Sequence, residues 1–528
     1  MGRLPDGRRR AGLPAQGRGD ARRAGRDRRP EGGCISAAGY TELRERLGEI
    51  HDLDRARAVL AWDARTMMPA GGAEVRAEQL ATLERVRHER LVSDELGRLL
   101  ETLRSYEESL PPDSDEASLI RVARRDRDKE LRVPASLRAE IARAKSLGEH
   151  AWLDARPRSD FQSFAPYLER HVELKLRYAE CFDPEHVYDP LLDDFEPGMK
   201  TAEIAALLGE LKEALVPLVA GIAERADATD DGCMHGHFPA GEQERLLNEI
   251  ARELPLPPGG WRLDSTAHPF ASAFGTSDVR LTTRYDEGRL GTALFALLHE
   301  AGHGLYESGI SPALERTPLG RPVSLGVHES QSRLWENGVG RSRAFWRRYF
   351  PKVQSAFPDQ FGRLDAEAFY RAANAVRPSL IRVEADEVTY DLHVILRFEL
   401  EQEILQGQVE VRDLPEAWNA RMQAYLGIEV PRDADGVLQD VHWAEGLFGY
   451  FPTYSLGNVI AAQLREAVAA QIDAVDLDSI HDWLRERVHR HGRKLTPAET
   501  VERAVGGSVN AAPYVRYLNA KYGELYGL

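Results

Sequence analysis

The stretch Leu297-Leu298-His299-Glu300-Ala301-Gly302-His303 reads His-Glu-x-x-His. On a helix, residues four apart lie on one face about a turn apart, so His299 and His303 can point both imidazoles at a single ion. Glu300 sits beside the first of them, close enough to take a proton from a metal-bound water without being a ligand, which is the zincin arrangement. Leu294, Leu297, Leu298 and Ala301 supply the apolar spacing of a half-buried helix. Gly302 and Gly304 each cost a helix about 1 kcal/mol relative to Ala. Their presence implies close approach of another backbone or of a substrate. A metal site is favoured over the plainer alternative, a structural histidine pair.

A catalytic zinc takes three protein ligands and leaves one position to water. Few carboxylates are available downstream. Glu307 lies one turn past His303, Glu315 is in a proline-flanked loop, and Glu329 stands 26 residues after His303 in Val327-His328-Glu329-Ser330-Gln331-Ser332. That separation allows a loop and a returning helix, so Glu329 is favoured as the ligand over a solvated helix acid. Zn2+ is the default for two His and one carboxylate, with Co2+ or Mn2+ able to occupy the same donors.

The elements that must position these residues read as helices. Tyr40, Leu43, Leu47 and Ile50 begin a long one that Pro69 ends. Helical spacing recurs around 80–86, 96–103, 116–132, 134–148 and 161–180. Thr201 is a plausible N-cap with Glu203 in the first turn, followed by the stripe Ile204, Leu208, Leu211, Leu215 and Val219. The clearest strand, residues 279–285, alternates apolar and polar side chains just ahead of the histidines. It is read either as a strand that pairs with substrate backbone or as an ordinary edge strand. Further on, helices are predicted at 363–376 and from Ser379 to Gly407. In the second of these, Ile381, Ala385, Val388, Leu392 and Ile395 make a core face, and Arg382, Asp386, Thr389 and His393 a polar one. A loop from Asp433 leads to His442, Trp443 and the aromatics Tyr450 to Tyr454, a candidate cleft lining. Thr496-Pro497-Ala498-Glu499 reads as a capping box with Pro at the first helical position.

Hydrophobic content of 42 % and charged content of 29 % belong to an ordinary globular protein. No apolar run reaches the roughly 18 residues of a membrane span. Cys34, Cys181 and Cys233 form no Cys-x-x-Cys pair, which fits a reducing cytoplasm. A net charge of −16 argues against nucleic acid as a partner. Residues 1–36 run against the balance, with ten Arg and four acids, which leaves −22 on the remainder. Rich in Gly, Arg and Pro and without an apolar core, this segment is predicted to be a disordered extension, with one functional domain from 37 to 528.

Taken together, these residues resemble the carboxypeptidase Taq family, the M32 metallocarboxypeptidases. The family's signatures appear in order as His268-Pro269-Phe270, Asp278-Val279-Arg280-Leu281-Thr282, His299 to His303 and His328-Glu329-Ser330-Gln331. Ile381-Arg382-Val383-Glu384-Ala385-Asp386 and Gly436 to Trp443 follow. The resemblance implies a mainly α zincin-type fold with a deep groove and a small sheet near the metal, commonly as a homodimer. It implies His299, His303 and Glu329 as ligands, Glu300 as acid/base, and peptides with a free C-terminus as substrates. The segment 1–36 has no counterpart in the family pattern.

Exopeptidase selectivity needs a fixed cation for the substrate carboxylate, and the fork of an arginine suits it best. Arg382, oriented by Asp386 four residues on, ranks ahead of Arg280. His442 or Tyr454 is expected to meet the carbonyl oxygen, and His268 to hold a ligand or the substrate. The competing readings are a zinc oligopeptidase that cuts internal bonds, and a non-catalytic helical scaffold with a structural metal.

Overall fold

The apolar spacing that starts at Tyr40 becomes the helix Gly32–Thr66, with Leu43 and Leu47 wholly buried. The computed structural model describes residues 32–528. It is 68 % helix with one three-stranded sheet. The predicted extension 1–36 therefore lies outside the described residues up to position 31, and its last five positions open this helix.

Helices Ala73–Leu91, Asp94–Thr102, Asp115–Arg132, Ala135–Arg158 and Phe161–Glu180 occupy the stretches expected from periodicity. The fourth runs past the expected end at 148. Gly148 is a packing point inside it, because an added Cβ there would lie 2.5 Å from Ala444 O and 2.7 Å from His171 Nε2. Thr201 is the first residue inside helix Thr201–Ala223 rather than its N-cap. Asp189 Oδ1 accepts from its backbone N at 2.8 Å and its hydroxyl at 2.6 Å, and Glu203 reaches back to Lys200 N at 2.9 Å. The predicted stripe from Ile204 to Val219 is buried.

Strands β1 (Trp261–Ser265), β2 (Ala271–Gly275) and β3 (Asp278–Thr283) form the sheet in the order β1-β3-β2. β1 runs parallel to β3 with Trp261 opposite Val279, and β2 antiparallel to it with Ala271 opposite Leu281. Both readings of the 279–285 stretch are thereby corrected. As the central strand, β3 has partners on both sides, so it is no edge and offers no free ladder to a peptide. It serves instead as a floor: Val279, Leu281 and Thr283 are buried, and Thr283 Oγ1 donates to Ala293 O at 3.1 Å on the helix above.

That helix, Leu290–Gly309, carries the two histidines. Leu290, Leu294, Leu297, Leu298 and Leu305 are all 0 % exposed, so it is apolar on nearly every side and runs through the core. Burial of each such leucine contributes roughly 2 kcal/mol, which outweighs the cost of its glycines.

The run from Ser379 to Gly407 is not one helix. Residues 382–384 make a single 3₁₀ turn, and the helix is Tyr390–Leu405. Asp386 explains the break. Its carboxylate accepts from the backbone N of Arg377, Val388 and Thr389 at 3.0, 3.0 and 3.1 Å, a local arrangement that competes with helical pairing. The residues read as a solvated polar face are interior: Thr389 and His393 are 0 % exposed and Arg382 4 %. The capping box at Thr496 stands as read, with Glu499 N donating to Thr496 Oγ1 and Thr496 N to Glu499 Oε2.

Candidate metal centre

Three glycines let neighbouring elements approach closely to assemble the site. A Cβ on Gly302 would lie 2.5 Å from Gln331 O and 2.6 Å from Ser332 Cα, so the histidine helix touches the backbone of helix Leu325–Arg333 there. A Cβ on Gly304 would meet Val279 and Leu281 of β3 at 2.8 and 2.9 Å. On the far side, Gly457 of helix Pro452–Ala467 faces Glu329, whose Cγ would be 2.5 Å from a Cβ at that position. At Gly302 the expected close approach is that of the chain's own backbone, whereas at Gly304 it is the side chains of Val279 and Leu281 that come close.

The contacts bring His299, His303 and Glu329 together, with one donor atom from each within 4.8 Å of the others. Glu329 Oε2 lies 3.7 Å from His299 Nε2 and 3.5 Å from His303 Nε2. The rings stand at 82° with centroids 4.9 Å apart, so both Nε2 atoms face one point beside the carboxylate. Two imidazoles and one carboxylate form the donor set of a catalytic zinc site. The other two carboxylates weighed from sequence are engaged elsewhere. Glu307 faces His328 at 3.5 Å, and Glu315 accepts from the backbone N and hydroxyl of Thr276.

Charge is arranged to suit a cation. Burial raises the Glu329 carboxyl, but Arg333 and His299 outweigh it and hold Glu329 well below the usual range. Burial lowers His299, yet Glu329 and Glu336 bring it above its ordinary value, so positive charge is favoured where an ion would sit. Burial, reinforced by His328, brings His303 down to about 3 and keeps it a neutral donor. Glu300 is 6 % exposed, and burial pushes it up to about 7 with help from Glu329 and Glu336. Its Oε2 is buried with no hydrogen-bond partner, as the acceptor of a water proton would be.

Next to these three residues is a second cluster. Arg333 donates to Glu329 Oε1 at 2.7 Å, and its guanidinium lies 4.3 Å over the Tyr390 ring. Arg382 Nη1 donates to the Tyr390 hydroxyl at 2.9 Å, so a single aromatic ring separates it from Arg333. Its partner is not Asp386, as read from spacing, but Asp440, at 2.8 Å. Arg397 holds the other oxygen of Asp440 at 2.8 Å. Two guanidinium groups against one carboxylate leave a net positive charge in a buried place. His442 adds none: burial brings it down to about 4, and its Nε2 is 3.4 Å from the Tyr454 hydroxyl.

Two predicted residues lie apart from this group. Arg280 is held by Asp278 at 3.0 and 3.1 Å and sits between the rings of Trp62 and Phe274. His268 is exposed in the β1–β2 connection and makes no hydrogen bond to a metal ligand, which corrects the expected ligand-holding role. Sequence reasoning missed Arg333, Glu336, Tyr390 and Arg397. For the first two a signal existed: Glu329, Arg333 and Glu336 recur every three to four residues and share a face.

The profile of the family described as carboxypeptidase Taq (M32) metallopeptidase matches residues 42–522. Thermostable carboxypeptidase 1 of Thermus thermophilus is 43 % identical over 93 % of this chain and 99 % of its own. Carboxypeptidase 1 of Bacillus subtilis is 40 % identical over 92 % and 98 %. The crystal structure of the M32 carboxypeptidase from Deinococcus radiodurans R1 superposes with a TM-score of 0.89 at 42 % identity, covering 93 % of this chain and all of that one.

Proposed function

Because the chain belongs to the carboxypeptidase Taq (M32) family of metallopeptidases, we propose that it removes C-terminal amino acids from peptides at a zinc held by His299, His303 and Glu329. The observation that carries this reading is the pairing of two features across one tyrosine: a three-donor cluster beside a buried, unpartnered Glu300, and an arginine pair with charge to spare. Bound there, zinc would lower the pKa of a water and polarise the scissile carbonyl.

The protein's own residues do the rest. Glu300, poised near 7, accepts the proton of the attacking water and returns it to the leaving amine. Arg333 occupies Glu329 Oε1 and leaves Oε2 facing the histidines. Tyr454 stands one turn before Gly457, the residue against Glu329, and donates to the developing oxyanion, with neutral His442 as the other donor on that side. Arg382 receives the substrate's C-terminal carboxylate. The arginine pair on Asp440 supplies the uncompensated charge that this anion neutralises. Arg280 is the alternative anchor, and His268 keeps only a substrate-side role.

Zinc is the default ion, with cobalt and manganese as substitutes. No helix among the described residues is long and apolar enough to cross a membrane. The small number of cysteines, with Cys181 and Cys233 free, supports a cytoplasmic setting, and the family resemblance supports a homodimer. The test is stepwise product analysis by mass spectrometry on one peptide in free and C-terminally amidated forms. Sequential loss of single residues from the free form only is expected. Equal cleavage of both, at internal bonds, would make the protein an oligopeptidase, and no metal-dependent hydrolysis of either would make it a scaffold.

A further inference from the structure

The helix bearing Glu329 does not end at Arg333 but continues into one π-helical turn, Leu334–Val339, a conformation found mostly at functional sites. Glu336 in that turn sets Oε2 2.9 Å from His299 Nδ1. Two arginines hold the carboxylate. Arg333 Nη1 donates to Oε2 and Arg341 Nη2 to Oε1, each at 3.3 Å. Arg341 is itself fixed, 3.7 Å over the Phe295 ring and bonded to Ala373 O at 2.5 Å. Gly340, which closes the turn, has no space for a side chain against Leu298, the residue before His299. The second histidine has no such support: His303 Nδ1 is buried with no partner, and its ring stacks on His328 at 4.2 Å.

We propose that Glu336 is a positioning residue: it fixes His299 with its proton on Nδ1, so that Nε2 presents a lone pair and the imidazole becomes the stronger of the two nitrogen donors to a divalent metal. The proposal rests on the reading of His299, His303 and Glu329 as ligands. The physical reason is simple. A carboxylate can only accept, so the hydrogen of the bond at Nδ1 belongs to the ring, and the negative charge behind the ring strengthens donation from the opposite nitrogen. Arg333 contacts Glu329 and Glu336 together, so a single guanidinium aligns the carboxylate ligand and the group that aligns His299.

Zinc affinity of the EDTA-stripped full chain, measured by competition with a chromophoric chelator, tests this. Glu336→Gln should bind zinc about 10- to 100-fold more weakly than wild type, and Glu336→Asp, which keeps the charge on a shorter arm, should fall between them. In apo wild type labelled with ¹⁵N-histidine, at alkaline pH, His299 should show the Nδ1–H tautomer, and Glu336→Gln should shift it toward a mixture. A role confined to holding the fold would lower the apo melting temperature without altering the tautomer. Affinity within about twofold of wild type in folded Glu336→Gln overturns the proposal, as does an Nε2–H tautomer in wild type. If His299→Ala itself bound zinc like wild type, the ligand assignment would fail, a result separate from any comparison of Glu336 variants with a wild type that does bind.

Discussion

Gly302→Ala puts one methyl group against the backbone of a neighbouring helix at the site. Its Cβ would stand 2.5 Å from Gln331 O and 2.6 Å from Ser332 Cα, where ordinary contact begins at 3.4 Å. Both obstacles are backbone, so no side chain can swing aside, and the two helices must part by about 0.9 Å. Helix propensity returns about 1 kcal/mol for Gly→Ala, while overpacking of a dense core costs about 1–3 kcal/mol. The net loss is about 0–2 kcal/mol, a shift of at most a few degrees in melting temperature for a chain of this size. The effect on the metal should be larger than the effect on the fold. Glu329 lies two residues before Gln331 on the displaced helix, and ligand distances tolerate only about 0.2 Å. Zinc affinity of the apo protein should fall roughly tenfold or more. Gly209→Ala is the control, since nothing lies within 4 Å of its Cβ in helix Thr201–Ala223. It should gain about 0.5–1 kcal/mol and leave zinc binding unchanged. A Gly302→Ala protein that melts above wild type and binds zinc equally well would refute the reasoning.

Glu300→Gln should keep its metal and lose about 10²–10⁴-fold in turnover, measured by zinc content and peptide hydrolysis together. Glu329→Ala should lose metal and activity in parallel, and full occupancy would move the third ligand elsewhere. Arg382→Ala should lower kcat/KM for free-carboxylate peptides by about 30- to 1000-fold, or roughly 2–4 kcal/mol; selective loss in Arg280→Ala instead would place the anchor on β3. Glu196, buried and bonded to Gly326 N at 3.0 Å, is pushed up to about 7 by burial. A raised carboxyl stabilises the folded state below its unfolded value of 4.5, and that advantage is lost as pH rises to about 7, by at most about 3 kcal/mol. Urea midpoints of wild type against Glu196→Gln across this range should diverge, and parallel curves would contradict the burial argument.

Short-range chemistry was the legible part of this chain. The grouping of His299, His303 and Glu329, whose donor atoms the fold brings within 4.8 Å of one another, was readable because a metal site would fix residue types and spacing within one helix, and because one carboxylate sat in a helical stretch after a loop of suitable length. The helices up to residue 180 followed from periodicity. What failed depended on contacts distant in sequence. Arg382 looked like half of an i,i+4 pair because Asp386 is the acid one helical turn along the chain, whereas its partner in space is Asp440. β3 looked like an edge because nothing local announces that β1 will return parallel on its other side. The break before Tyr390 was in principle readable from Asp386 and Thr389, residues that favour helix starts over helix interiors.

Around the histidines, shape is set by close packing at Gly302 against backbone and at Gly304 and Gly457 against the side chains of Val279, Leu281 and Glu329, and charge by arginines already bonded to carboxylates. If these residues hold a metal as proposed, packing of this kind would make the centre a socket rather than a staple: chelation should yield an empty but intact enzyme, loading should follow folding, and exchange of one divalent metal for another should not need to cross an unfolding barrier. Which ion the protein carries then depends on the supply around it as much as on its own sequence.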